Sequence, residues 1–563
     1  MNNNRFTRIL SAMLVLVLLL TALGTVSAQE ESKVLVTGIS MVGGDIPSLD
    51  PGLSETSSSI EVVNQIFIGL TNQEETDGTM ELGIATEMTV SDDGLTYTFK
   101  LMDNLPWVRY NAETGAVEQL LDADGNVRLV TAGDVAYGML RSLNPETASP
   151  YSYVLLPYIN GAAEYNAGTG AAEDVAITVV DDFTLSITGP EAVAFAPSIF
   201  GLWVARAVPQ VELDEFGDLW TEAENIATYG PFALKEWAHE ESVTLIKNPF
   251  WPGSDAIPQP KVDEVVFRLL DPQQQFAEYQ AGNMDAIAVP LEEIERTKAD
   301  AVLSLEYKVG TNPCTYYVGF DNLEAPVDNV HLRRALSFAI DRESIVTNVT
   351  RGGQIAAQWF VRPGLNAAPT LETHPDLGVK FDVAKAQEEL ALALTDLGLA
   401  SAAELPALSL AYNDSSNHGA IMQAIQQMWT DNLGITVQLS ALEPSTYFAT
   451  ISEEAPTIYR AGWCQDYADA NNFNFDVFNS ASSQNDTGYA SPEYDAIVEQ
   501  ARLETDTETR RELYAQAEQM LVVDDAAIIP VYWYTTNQLV KPYVEYTVSV
   551  TGNQAYFNWD ISK

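Results

Sequence analysis

Basic residues are scarce in this 563-residue chain: Lys and Arg number 28 against 79 Asp and Glu, a formal charge of −51. Such a balance excludes a partner gripped through its phosphate backbone, which needs clustered Lys and Arg, so no nucleic acid is expected. It also excludes docking on an anionic membrane face. The acids are spread along the chain, which suits solubility in a saline or exposed setting. Histidine and cysteine are equally thin, at four and two. No Cys/His spacing resembles a zinc site, so neither metal nor cofactor is expected. There is no nucleophile elbow and no G-x-x-x-x-G-K-[ST] loop, so neither hydrolysis nor ATP-driven work is expected of the chain itself. Asp122-Ala123-Asp124-Gly125-Asn126 has its Gly too early for a calcium loop and reads as a turn. Beyond residue 28 no apolar run reaches the ~18 residues of a spanning helix.

What is present begins with a processing signal. Arg5 and Arg8 precede an apolar stretch, Ile9 to Leu20, and Val26-Ser27-Ala28 offers small residues for cleavage. Residues 1–28 read as a secretory signal peptide. No Cys follows to carry a lipid, so the mature protein is expected to be exported, soluble and not a lipoprotein. Export puts Cys314 and Cys464 in an oxidising compartment. On the residues alone, a bridge and two buried thiols both remain open.

Short strands and helices alternate throughout, which indicates α/β layers. Leu95 to Leu101 and Phe183 to Thr188 alternate apolar and polar residues, and Ala176 to Val180 precedes the second across a hairpin turn. Val262 to Leu270 reads as a further strand. Thr131 reads as a helix N-cap, and from Asp328 Leu332, Ala335, Leu336, Ala339 and Ile340 form one helical face. Leu408–Tyr412, a polar turn over 413–417, a helix with Ile421, Ile425, Met428, Trp429 and Leu433 on one face, Gly434 as C-cap and Ile435–Leu439 read as a βαβ unit. His418 falls at the start of that helix, where backbone N–H groups favour an anion; a capping or surface histidine is the alternative there. The densest chemistry is Tyr459 to Phe478, which mixes Arg460, Trp463, Asp466, Tyr467, Asp469, Asn471, Asn472 and three Phe. That mixture suits a pocket for groups of both charges, and equally a loop with core aromatics and solvated acids.

Arg460-Ala461-Gly462-Trp463-Cys464 followed by Asp466-Tyr467 resembles the signature of oligopeptide-binding proteins of ABC importers, within the family 5 extracellular solute-binding proteins. The likeness continues in Ser48-Leu49-Asp50-Pro51, Asn144 to Tyr151, Tyr229-Gly230-Pro231-Phe232, Cys314-Thr315-Tyr316-Tyr317, Arg333 to Leu336, Asp341-Arg342, Tyr412 to His418, Ile529 to Tyr534 and Val540-Lys541-Pro542. It is collinear from about residue 33 to 545. The resemblance implies a two-lobed, venus-flytrap α/β fold. The first lobe would comprise 29–67, 210–313 and 534–563, with an extra domain at 68–209 and a second lobe at 314–533. The chain would cross near Cys314 and Tyr534, and a Cys314–Cys464 disulfide is implied.

The family's contacts carry over as follows. Asp466 would pair with a peptide's α-ammonium. The backbones of Gly462 and Cys464 would bond the peptide as an added strand. Glu55 and Ser57 would face them from the first lobe. Arg460 and His418 would act as cations receiving the C-terminal carboxylate. Tyr151, Tyr317, Trp463 and Tyr534 would wall the pockets. Pro444, Ile451 and Thr350 (with Arg351 adjacent) stand where close relatives have a pocket Trp, an Arg and a carboxylate-binding Lys, and Ala286 to Val289 replaces a polar run. The implied function is monomeric capture of oligopeptides for membrane permease subunits; an oligosaccharide or metal complex on the same fold is the alternative.

Overall fold

The computed structural model describes residues 32–39, 44–414, 416–453 and 455–563. The expected signal peptide lies outside them, as does Ser415 in the expected 413–417 turn. An 11-stranded sheet runs through the molecule. Its strands are β1 (Val34–Gly38), β2 (Phe232–Ala238), β3 (Ser242–Lys247), β4 (Glu264–Arg268), β5 (Ala286–Ala288), β6 (Tyr307–Phe320), β7 (Ile355–Ala356), β8 (Leu408–Asn413), β9 (Val437–Leu442), β10 (Ile458–Cys464) and β11 (Ile528–Val540). The order is β2-β3-β4-β1-β5-β11-β6-β10-β8-β9, with β7 on β11. The expected βαβ unit is β8, helix Ser416–Leu433 and β9, a parallel pair. Gly434 follows the helix at φ +69°, where a Cβ would be strained.

The two largest apolar cores make the molecule bilobal. One gathers Leu35, Val63, Phe67, Trp107, Tyr229, Phe267 and Trp559; the other gathers Val318, Leu336, Trp359, Leu410, Trp429 and Ile529. The chain enters the second on β6 and leaves it on β11. These two long antiparallel strands are the crossings. Their ladder is regular from Tyr307↔Leu539 to Thr311↔Thr535 and resumes at Thr315↔Trp533. The break, Asn312-Pro313-Cys314 opposite Tyr534, holds a proline that cannot donate to the ladder.

A 4-stranded antiparallel sheet, Ala85–Val90, Thr96–Leu101, Thr184–Thr188 and Ile177–Asp181, forms the extra domain with helix Ala132–Leu143. Thr131 and Asp134 complete a capping box there. Asp122 to Asn126 is a turn closed by Asp122 N–H to the Asn126 carbonyl. The domain packs on the first lobe's core and also touches the second lobe. Phe195 stacks on Tyr467 with centroids 5.6 Å apart. Asn471 donates to the Tyr158 hydroxyl (3.1 Å), and Arg502 pairs with Glu191. The lobes are therefore shut against each other.

Cys314 and Cys464 are bonded, and they face each other in the β6–β10 register. The bridge ties this ladder break to β10. It closes a loop of 150 residues, worth at most about 5 kcal/mol in the chain-entropy account. The Cys314→Ser, Cys464→Ser double variant is expected to melt several degrees lower. Non-reduced wild type should show two hydrogens missing by intact mass; two alkylatable thiols would contradict the bridge.

Candidate functional site

β10 creates the site through its backbone. β8 pairs with it only at Ile458 and Tyr459, so the edge from Arg460 onward has no strand beside it. Gln465 N–H bonds the Pro313 carbonyl on the β6 side, whereas Asp466 N–H turns away to Asn472 Oδ1 (2.8 Å). The Arg460 carbonyl likewise turns away, toward the Tyr447 hydroxyl. By strand alternation, the backbone groups of Gly462 and Cys464 point to that open edge.

The cleft beside this edge is walled by Glu55, Ser57, Tyr151, Cys314, Cys464 and Asp466, with Ala286 to Ala288 opposite. It holds about 1340 Å³, counting the solvent at its mouth. Thr56 caps helix Ser57–Ile66, and so places Ser57, Ile60 and Glu61 along the cleft. Tyr151 is held edge-on against Trp203 (4.8 Å) and packs beside Tyr153 (5.5 Å).

Asp466 is half-buried at one end. Its Oδ2 accepts from Asn472 Nδ2 (3.0 Å) and faces the Tyr153 hydroxyl (3.5 Å). Burial pushes its carboxyl up to about 7, and the nearby Asp476 carboxylate adds to this, against the Asn472 and tyrosine hydrogen bonds. Among the described residues, no Lys, Arg or His is one of the groups that shift it. A desolvated carboxylate with only neutral donors is a receiver for an external cation.

The other end of the edge gathers Arg460, His418 and Tyr534 around Tyr316. Arg460 donates to the Tyr534 hydroxyl (2.9 Å) and to Asn413 Oδ1 (3.4 Å), and lies 4.8 Å over the Tyr316 ring. Its Nε–H is buried without an acceptor. His418 Nδ1 meets the Tyr316 hydroxyl at 3.1 Å. Burial, and then the Arg460 charge, bring its pKa down to about 2. His418 is thus a neutral hydrogen-bonding group here, where the resemblance implied a second cation.

Two further expectations change. Tyr317 packs in the core of the second lobe against Phe360 and Phe478, and Tyr316, one residue earlier and itself fully buried, is the tyrosine that touches Arg460, His418 and Tyr534. Trp463 lies on the same face as Tyr317 and donates to Asn472 Oδ1 (3.3 Å), so it braces the Asp466 loop. At the departures, Thr350 is buried on Gln354 Oε1 (2.9 Å) and Arg351 is exposed, donating to the Asn348 carbonyl (2.8 Å). Neither replaces the missing lysine. Residues the motifs did not flag are Tyr153, Glu61 and Gln465. Tyr153 alone had a sequence signal, two positions after Tyr151.

Two lobes joined by a pair of strands, shut over a polar cleft with an open strand edge, define an extracellular-type solute-binding protein. The chain belongs to the bacterial extracellular solute-binding proteins, family 5, whose model matches residues 79–485. It is 32% identical over 519 residues to the oligopeptide-binding protein OppA of Bacillus subtilis, covering 91% of this chain and 90% of that one. The Haemophilus influenzae OppA complex with RPPGFSPFR is 27% identical with a TM-score of 0.81, covering 95% of this chain and all (100%) of that one. The unliganded open form of the murein tripeptide-binding protein MppA, 26% identical, scores 0.70 over 94% and 98%. The lower score against an open form agrees with the shut lobes. Among the described residues no helix is long and apolar enough to cross a membrane, and no His/Cys/Asp/Glu group could hold a metal.

Proposed function

We propose that this protein captures oligopeptides outside the cytoplasm and delivers them to the permease of an ABC importer, without itself catalysing a reaction. The observation that carries this reading is Asp466, an unpaired, desolvated carboxylate at the end of an open strand edge. A peptide's α-ammonium would sit on it, and its backbone would bond Gly462 and Cys464 as an added strand. That pairing reads main chain and leaves side chains to the cleft walls. Arg460 would receive the far carboxylate. Asp466 and Arg460 are six positions apart, roughly 20 Å at extended rise. Their side chains cover part of that span, and the remainder fits three to four residues. Family membership and the relatives' names support peptide capture, and the scarcity of bases separates the protein from nucleic-acid partners.

The lobes would be those drawn from the resemblance, with 314–533 moving against the rest about the β6/β11 break. Docking of the loaded form on two membrane subunits would couple capture to transport. Mass spectrometry of small molecules released from gently purified, then denatured, protein is expected to show peptides. Oligosaccharide recovered in their place would overturn the reading. Purified protein is expected neither to cleave peptides nor to hydrolyse ATP.

A further inference from the structure

Asp466 stands on the seam between the two cores. It follows β10, whose Ile458 and Trp463 pack on the second core. Against it come Tyr151 and Tyr153, which pack on the first. Tyr153 offers its hydroxyl to Oδ2 (3.5 Å), and Gln73 donates its amide nitrogen to the Asp466 carbonyl (3.3 Å). Phe195 and Tyr158 continue the seam onto Tyr467 and Asn471. Part of what buries this carboxyl therefore lies on the opposite side. Parting the sides would return it to water with Asn472 still beside it. A carboxyl in water ionises near 4, whereas burial raises this one to about 7 in the shut molecule. The shut form thus holds a proton more firmly than a parted one.

The other charged groups nearby keep to one side. Asp476, on helix Asn471–Phe478, is bonded by Tyr467 and Asn472 and travels with Asp466. Glu61 accepts from Tyr556, and Glu75 from Asn558, both on the first side. Glu55 is exposed beside Tyr151. Arg206 is spent on the Val63 and Phe67 carbonyls at the end of helix Ser57–Ile66. Of these groups, Asp466 is the one whose own hydrogen-bond partners come from both sides.

We infer that shutting the empty protein takes a proton from solvent onto Asp466 as the Tyr151 and Tyr153 side closes over it, and that a guest's α-ammonium takes that proton's place. At neutral pH the empty chain then rests parted and the loaded chain shut; in acid the empty chain shuts as well. This rests on the movement of 314–533 proposed above. Acid favours the form that binds the proton. The ratio of shut to parted empty protein should therefore fall up to tenfold per pH unit as pH rises from about 4 to 7, and be level above 7. Small-angle X-ray scattering reads the two forms as a smaller and a larger radius of gyration. Empty wild type is expected to be compact at pH 5 and expanded at pH 7.5, the ratio having dropped about a hundredfold. Ala-Ala-Ala should restore the compact radius at pH 7.5. Asp466→Asn has no charge to neutralise and should be compact at both pH values without peptide. Asp476→Asn should keep the wild-type course. A wild-type pH course that persists in Asp466→Asn would come from other acids and overturn the inference, as would its loss in Asp476→Asn alone. If Ala-Ala-Ala compacts the protein at pH 7.5 but the empty chain has one radius at both pH values, only the inference fails. If Ala-Ala-Ala changes nothing at pH 7.5, the proposed lobe movement fails and the inference with it.

Discussion

Asp466→Asn is expected to weaken peptide binding by about 3–5 kcal/mol, the cost of breaking a desolvated ion pair, or roughly two to four decades in affinity. The substitution keeps the shape and can still accept from Asn472 Nδ2, so the loss isolates the charge. N-acetylation of the peptide removes the same interaction from the other side. The two losses should therefore not add: the variant should distinguish acetylated from free peptide much less than the wild type does. Additive losses would make Asp466 a loop acid and not the anchor. The pH dependence follows from the same group. With the carboxyl at about 7 in the empty site, an ammonium must displace a proton below that pH. Affinity for Ala-Ala-Ala should fall up to tenfold per pH unit as pH drops from 7, and be level just above 7. Without peptide the sign reverses. The raised value means the folded chain holds a proton that the unfolded chain releases near 4, so this carboxyl's contribution to stability declines as pH rises from about 4 to 7. Asp466→Asn should flatten the affinity slope, leaving only what Asp476 transmits through Asn472, which donates to both carboxylates.

Asp469→Ala is expected to cost about 3–5 kcal/mol of fold stability. Arg510 grips Asp469 with both nitrogens, at 2.6 and 2.8 Å, and each side chain is 2% exposed. Asn366 and the Asn471 amide complete the carboxylate's bonds, and Arg510 also lies 5.0 Å over Phe195. Removing the acid leaves an uncompensated guanidinium in the interior. Replacing both partners, as Asp469→Asn with Arg510→Met, should recover much of the loss, because the buried charge is then gone. Thermal and urea unfolding of the single and double variants measure this. An Asp469→Ala protein that melts within a degree of wild type would show the pair to be dispensable.

The sequence disclosed those elements whose period and caps agree. Helix Ser416–Leu433 shows its apolar face in Ile421, Ile425, Trp429 and Leu433, and Gly434 ends it. Strand Thr96–Leu101 alternates cleanly. Asp466 was legible because one short signature carries it. Tyr316 and Tyr317 were not separable, since adjacent strand residues face opposite sides and only the β6–β10 register decides which is which. His418 reads as a cation in isolation; its neutrality comes from burial beside Arg460, a contact between separate strands and helices. Glu61 is one acid among 79, and on a helix it reads as solvated until tertiary packing places Tyr556 over it.

The contact of the extra domain with the second lobe governs time as well as shape. Under the proposed reading, a guest between Asp466 and Arg460 would lie in a cleft whose two sides are also joined by Phe195–Tyr467, Tyr158–Asn471 and Glu191–Arg502. Its exit would then wait for those pairs to part, and none of them belongs to the guest. Dwell times of different peptides should therefore spread less widely than their equilibrium affinities. Loosening Phe195 should shorten all of them together.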